Sequence, residues 1–270
     1  MKTIRLIASD LDGTLLTNNH TVSDKNRANI RLAVDNGVQF ILASGRPWLG
    51  IRPYIKELGL DIPGNYCISN NGALIHDASD GTVLNAHTLN FDDYLELEAL
   101  SRKIGVHIHG ATLDKIITTN TDISPYTVRE SFLTNMPLEY SPISETNPSI
   151  VLAKLMLIDE PEVLAPALKK IPDDLFKRFT MVKSAPYFFE ILNAHSSKGN
   201  AVSWIANKLN IDMSHVMCIG DQENDISMIK LAGLGVAMGN AVPATLAEAD
   251  VVTQDNENDG VAEAIAKYVL

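Results

Sequence analysis

Apolar and polar positions alternate in blocks at both ends of the chain. A short, mostly apolar run at 4–9 reads as a buried strand. Ser23 then precedes a helical pattern carrying Ala28, Ile30, Leu32 and Ala33 and closed by Gly37; Ser at an N-cap and Gly just past the end are the expected boundaries. Residues 38–43 form the next apolar run, Pro47 suits the first turn of a helix reaching about Leu58, and 66–69 reads as a third strand. The final part repeats the rhythm, with helices over 198–209, 225–232 and 259–270 and strands over 216–220, 234–238 and 250–253. Strand–helix alternation of this kind predicts an α/β fold, with a parallel sheet covered on both faces. From about residue 82 to 192 the rhythm changes. A longer helix over 92–104 is followed by strands at 107–109, 115–118, 151–158 and 187–192, and Pro125, Pro137, Pro142 and Pro148 punctuate the stretch. The reading is one core, 1–84 and 193–270, interrupted by an inserted α+β domain over 85–192.

Composition changes this picture little. Over 270 residues, 46% hydrophobic and 20% charged positions are ordinary for a globular chain able to bury a sizeable core as one or two domains. The formal net charge of −11 argues against non-specific nucleic-acid binding, which needs a basic face. It leaves room for an anionic substrate held by a local cation. No apolar run is long enough to span a bilayer and no secretory leader is evident, so no membrane association is expected. Cys67 and Cys218 lie in apolar strand-like runs, which suggests buried reduced thiols and a cytoplasmic protein.

The polar residues at the strand ends alter the picture more. The first strand runs straight into Asp10-Leu11-Asp12-Gly13-Thr14, two carboxylates at a spacing that an extended chain puts on one side. Like charges so placed are costly unless a cation joins them or one keeps its proton. The second strand ends in Ser44-Gly45-Arg46-Pro47, a later helix opens at Lys198-Gly199, and the strand at 216–220 leads into Asp221-Gln222-Glu223-Asn224-Asp225. Ligands of open parallel sheets bind at the carboxyl ends of the strands. Each piece alone has a plainer reading as a turn, a cap or solvated surface. Together they are complementary, and they suit a divalent cation and a phosphate.

The roles divide as follows. Asp10 is the candidate nucleophile, forming an aspartyl-phosphate. Mg²⁺ would relieve the repulsion between that carboxylate and an anionic phosphoryl group, with Asp10 and Asp221 as carboxylate ligands and the backbone carbonyl of Asp12 as another. The Asp12 side chain is then free to act as general acid and base. Ser44, the Gly45 amide and Lys198 are candidates for holding phosphoryl oxygens. Asn224 would position either the phosphate or Lys198, and Asp225 would stand behind them.

At these residues the chain resembles the haloacid dehalogenase superfamily, whose four motifs match Asp10 through Thr14, Ser44, Lys198, and Gly220-Asp221 through Asn224-Asp225. The insertion between Ser44 and Lys198 is similar in size and character to the large cap domain of the Cof-type subfamily. Ser69-Asn70-Asn71-Gly72-Ala73 and Lys183-Ser184-Ala185-Pro186-Tyr187-Phe188 also resemble the YidA-type sugar phosphatases of that subfamily. The resemblance implies a Rossmann-like doubly wound core, a mobile cap setting substrate specificity, Mg²⁺ dependence, and hydrolysis of small phosphorylated metabolites such as hexose phosphates.

Other residues keep plainer readings. His107 and His109 share a face of one strand but lack a third metal ligand nearby in sequence. Trp48 and Trp204 read as packing and His195 as exposed. Glu190 could meet sugar hydroxyls, and Arg46 either contacts substrate or pairs with an acid. Three competing functions are a phosphomutase on the same fold, a dehalogenase, and a non-catalytic sugar-phosphate sensor. Asp12 argues against the dehalogenase, since halide leaves without a proton, and the complete set of Asp10, Asp12, Lys198 and Asp221 argues against the sensor.

Overall fold

A computed structural model describes residues 3–270, which divide into two compact units. One comprises the residues up to Gly45 with Ile51–Asn85 and Ser197–Leu270; the other comprises Arg46–Gly50 and Ala86–Ser196. In chain order the first run gives β1 (Leu6–Ser9), α1 (Asp24–Asp35), β2 (Gln39–Ala43), α2 (Trp48–Glu57), β3 (Tyr66–Ser69), β4 (Leu74–Asp77) and β5 (Val83–Ala86). Then come α3 (Phe91–Ile104), β6 (His107–Ala111), β7 (Ile116–Thr118), α4 (Pro125–Thr134), β8 (Leu138–Tyr140), β9 (Lys154–Ile158), α5 (Pro161–Leu168), α6 (Leu175–Arg178), β10 (Phe179–Ala185) and β11 (Phe188–Asn193). The chain closes with α7 (Lys198–Lys208), β12 (Val216–Gly220), α8 (Ile226–Leu231), β13 (Leu234–Ala237), α9 (Pro243–Glu248), β14 (Val251–Val252) and α10 (Gly260–Tyr268).

The first unit is built on an eight-stranded sheet of order β14-β13-β12-β1-β2-β3-β4-β5. From β14 to β3 every pairing is parallel, and β1 lies at the centre with Ser9 level with Ile219 of β12 and Leu42 of β2. All four residues of β1 are buried, as a central strand covered on both faces requires. One face carries Leu6, Ala8, Ile41, Ala43 and Ile68 under Val202 and Ile205 of α7. Truncating a fully buried residue such as Ile205 to Ala would cost about 2–5 kcal/mol. That packing fixes α7 over the sheet, and Ser197 caps its start by accepting from the Asn200 amide at 3.1 Å.

The sheet departs from the purely parallel expectation at β4, which runs antiparallel to β3. The connection is only the turn Asn70–Gly72, too short for the crossover that a parallel strand needs. Asn70, Asn71 and Gly72 all adopt positive φ, at 48°, 55° and 93°. The sequence Asn-Asn-Gly tolerates that conformation better than most.

The second unit holds a six-stranded sheet of order β10-β11-β9-β6-β7-β8, antiparallel except for the β7–β8 pair. Leu97, Leu100 and Ile104 of α3 pack with Ile108, Leu155, Leu157 and Ile191 of the strands. An Asn90–Asp93 capping box starts α3 and a left-handed Gly105 ends it. The opposite face mixes a small apolar cluster of Met156, Ile158 and Phe188 with buried polar groups: Lys154 lies 3.3 Å from Glu190 and 3.5 Å from Glu130 of α4. His109 contacts Thr127 and Met156, and His107 pairs with Asp159 at 2.8 Å, so neither imidazole is directed at a shared ligand site. Trp204 meets Tyr66 edge-on, and His195 is exposed with its ring tilted against His87. Among the described residues, no helix is long and apolar enough to cross a membrane.

Candidate active site

The carboxyl ends of β1, β2 and β12 deliver Asp10, Ser44 and Asp221 from adjacent strands. The Asp10 amide donates to Ile219 O at 3.0 Å, which carries the sheet bonding one residue beyond β1. β1 ends at Ser9 and a turn follows at Leu11, so Asp12 lies outside the strand, in an isolated bridge with Leu16. Asp10 is buried, whereas the Asp12 side chain keeps 45% exposure and lies 3.6 Å from His20 Nδ1. The two carboxylates remain close enough that Asp12 adds to the charge acting on Asp10.

Lys198, the first residue of α7, reaches the same point from the helix layer. Its Nζ donates to Asp10 Oδ1 at 2.6 Å and to Asp225 Oδ1 at 2.6 Å, and its side chain is fully buried. Burial works against the ammonium, but Asp10 and Asp225 outweigh it and hold the Lys198 pKa above its usual value. Burial pushes the Asp10 carboxyl up, opposed by Lys198 and reinforced by Asp225, Asp221 and Asp12. Burial also pushes Asp221 up, to about 6, with Asp225 adding to the shift and hydrogen bonds from Thr14 and Gln222 opposing it.

The loop after β12 is tied down by Asp225. Its Oδ2 accepts from the amides of Asp221 at 2.9 Å and Gln222 at 3.0 Å, while Oδ1 takes the lysine. Asp225 therefore touches Lys198 directly rather than standing behind it. Gly220 is required here, because a Cβ would overlap the Asp225 side chain. Gly13 is required likewise: its φ is +78°, and a Cβ would lie 2.5 Å from Asp221 Oδ2. Thr14 Oγ1 donates to Asp221 Oδ1 at 2.8 Å and Gln222 Nε2 to Oδ2 at 3.0 Å. Of these two contacts the sequence offers only the Thr that closes Asp-x-Asp-Gly-Thr.

Asn224 takes neither Lys198 nor a backbone group as its partner. Its Nδ2 donates to Asn71 Oδ1 at 2.9 Å. The Asn71 amide in turn donates to Ser44 O at 3.0 Å, so the β3–β4 turn abuts the Ser44-Gly45 loop. Glu190, singled out in the sequence, lies in the other unit against Lys154.

The donor set suits a hard divalent cation. Asp10, Asp221 and Asp225 offer carboxylate oxygens within 4.8 Å of one another, all three residues buried. One ammonium cannot neutralise three buried carboxylates, and an all-oxygen set is what Mg²⁺ takes. Chemically, the arrangement combines a buried carboxylate paired with an ammonium, two further buried carboxylates beside it, and an additional carboxylate open to water.

The haloacid dehalogenase-like hydrolase family profile matches residues 7–265. A Streptococcus pyogenes protein, provisionally named a phosphatase, is 43% identical over 268 residues, covering 99% of each chain. The 5-amino-6-(5-phospho-D-ribitylamino)uracil phosphatase YcsE of Bacillus subtilis is 31% identical, covering 99% of this chain and 96% of its own. Among solved structures, a haloacid dehalogenase-like hydrolase from Bacteroides thetaiotaomicron superposes with a TM-score of 0.85 at 31% identity, covering 98% of this chain and 99% of that one. Agreement along almost the whole chain, in sequence and in fold, makes this protein a member of the haloacid dehalogenase-like hydrolase family and a phosphoric monoester hydrolase.

Proposed function

We propose that the protein is a Mg²⁺-dependent phosphatase of small phosphorylated metabolites, sugar phosphates foremost, working through an aspartyl-phosphate on Asp10. The observation that carries this reading is the buried Asp10 carboxylate, bonded to Lys198 and grouped with Asp221 and Asp225. Asp10, Asp221 and the Asp12 carbonyl would hold the cation, with Asp225 beside them. Mg²⁺, when bound, supplies positive charge that offsets the repulsion between carboxylate and phosphoryl group.

The chain's own groups do the rest. An Asp10 oxygen attacks phosphorus and the bond to the ester oxygen breaks. Asp12, part-exposed and so within reach of water, gives its proton to the departing alkoxide. It then takes a proton from the water that attacks the aspartyl-phosphate; the bond from Asp10 to phosphorus breaks, and inorganic phosphate and the free carboxylate return. Lys198, Ser44, the Gly45 amide and Asn224 hold the non-transferring oxygens. The inserted domain, 85–192, selects the substrate by shape. The Bacillus subtilis relative, named for a 5-phospho-D-ribityl compound, supports a phosphorylated polyol or sugar as the substrate class. The buried free thiols of Cys67 and Cys218 favour a cytoplasmic setting.

A phosphate-release screen over sugar phosphates, nucleotides and phosphorylated cofactors, with and without Mg²⁺, tests the reading. Chelation should stop turnover reversibly, and Asp10→Asn should abolish it with the fold intact. Substantial turnover by Asp10→Asn would refute the assignment of Asp10.

A further inference from the structure

The segment that carries Asp12 is held by side chains from far along the chain. Leu11 O accepts from the Thr14 amide at 3.3 Å and from the Leu16 amide at 2.9 Å, so Asp12 and Gly13 are the two central residues of a turn. Gly13 has φ +78°, the value a type II turn asks of its second central residue. The carbonyls that leave this turn need donors of their own. Gly13 O takes Asn240 Nδ2 at 2.8 Å, Leu15 O takes Asn26 Nδ2 at 3.4 Å, and Leu16 O takes Asn256 Nδ2 at 2.9 Å. A carbonyl oxygen can only accept, so these partners decide which end of each amide faces the segment.

Two of the three asparagines are joined to each other. Asn240, in the loop after β13, accepts at Oδ1 from the Asn256 amide at 3.1 Å, in the loop after β14. The same two loops hold the neighbouring backbone. The Val242 amide donates to Asp221 O at 2.9 Å, and Glu257 Oε1 accepts from the Asn18 amide at 2.6 Å. Leu16 is the bridge partner of Asp12, so the Asn256 bond acts directly across from the acid. The Asp12 side chain is 45% exposed, and its position follows from the backbone beneath it more than from packing around it. Neutral amides suit this place. They donate without adding charge beside Asp10, Asp12 and Asp221, where an ammonium would compete for those carboxylates.

We infer that Asn240 and Asn256 are positioning residues for the acid–base step: by holding Gly13 O and Leu16 O they fix the turn that aims the Asp12 carboxyl. The inference rests on the proposed role of Asp12. Asn256 is buried and Asn240 exposed, so Asn240 is the position to change with less risk to the fold. Asn240→Asp keeps the shape and the acceptor for the Asn256 amide, but as a carboxylate it cannot donate to Gly13 O. Asn240→Ala removes both contacts and adds no charge.

The test is rapid-quench kinetics of p-nitrophenyl phosphate with Mg²⁺ present, which separates nitrophenolate release in the first step from hydrolysis of the Asp10 phosphate in the second. Nitrophenolate leaves without a proton, so only the second step needs Asp12. The proteins compared are the parent, Asp12→Ala, Asn240→Asp, Asn240→Ala, Asn256→Ala and the Asp12→Ala/Asn240→Ala pair, each with its melting temperature. Both Asn240 variants should keep the first step within about twofold of the parent and slow the second about tenfold, the upper scale of one lost hydrogen bond. Asn256→Ala should show the same split whatever its melting temperature. Once Asp12 is Ala, Asn240→Ala should slow the second step no further. Asn258→Ala, in the same loop but bonded to Asp255 at 2.8 Å, should leave both steps as in the parent. Equal slowing of both steps, an additive loss in the pair, or a matching loss in Asn258→Ala would overturn the inference. So would parent-like second steps in both Asn240 variants while Asp12→Ala is slow, and that result leaves the proposed reaction standing. A parent that never phosphorylates Asp10, or an Asp12→Ala whose second step is unslowed, would contradict the proposed reaction and overturn the inference with it.

Discussion

Replacing Lys198 by Met should destabilise the protein in proportion to pH. The ammonium lies 2.6 Å from both Asp10 and Asp225, with side-chain exposures of 0%, 8% and 0% for lysine and the two acids. At an effective dielectric of about 20, unit charges about 3 Å apart attract by roughly 5 kcal/mol, most of which repays desolvation. Methionine fills similar volume, so the loss is electrostatic rather than a cavity. Removing one member of a buried ion pair costs about 3–5 kcal/mol, and here two carboxylates are stranded beside a third, which favours the upper part of that range. At roughly 2–4 °C per kcal/mol, melting should fall by about 6–20 °C near pH 8 in a chelator. Burial already raises the Asp10 carboxyl in the parent, and loss of the lysine raises it further. A carboxyl raised in the fold favours the folded state at pH below its unfolded value, and that contribution is lost as pH rises through the folded value. The gap between variant and parent should therefore narrow as pH falls toward about 5. Thermal unfolding of both proteins across pH measures this. Equal melting near pH 8, or a gap that widens on acidification, would refute the reasoning.

Three further outcomes follow from the site. Asp12→Ala should slow alkyl phosphates by about 10²–10⁴, the usual worth of general acid catalysis, and p-nitrophenyl phosphate far less in its first step, because nitrophenolate leaves without a proton; equal first-step losses measured by rapid quench would remove Asp12 as the acid. Asp221 is pushed up to about 6, so the metal-free fold loses stability as pH rises from the unfolded carboxyl value, roughly 4, through about 6. Mg²⁺ should then raise the melting temperature more near pH 8 than near pH 5, and a pH-independent increment would contradict the shared acidic site. Gly72→Ala must place a side chain at φ +93° and against the Ser197 carbonyl, so it should lose at least about 1–3 kcal/mol in chemical denaturation, whereas parent-like stability would mean the turn is not locked to α7.

The sheet was legible where local signals suffice. The buried parallel strands β1, β2, β3, β12 and β13 each stand out as an apolar run, because a strand covered on both faces has no polar alternation to disguise it. β4 and β5 gave no such signal: β5 is largely exposed, and β4 is a hairpin partner set by an Asn-Asn-Gly turn rather than by its own composition. At the site, the sequence locates the groups that chemistry needs, since Asp10, Ser44, Lys198 and Asp221 each end or begin an element. It does not locate their partners. Thr14 and Asp221 are 207 residues apart and Asn71 and Asn224 are 153 apart, so only tertiary packing pairs them. Asp12 shows the limit of strand periodicity: the i, i+2 rule holds while backbone stays extended, and β1 stops at Ser9.

The covalent intermediate is open to direct observation. Asp12→Ala should still be phosphorylated by p-nitrophenyl phosphate yet lack the base that activates water, so the intermediate should accumulate. Acid quench of that reaction, followed by digestion and mass spectrometry, should find one phosphoryl group on the peptide carrying Asp10, and none after Asp10→Asn is added. A phosphoryl group on any other residue, or turnover with no phosphorylated Asp10 at any time point, would contradict Asp10 as the nucleophile.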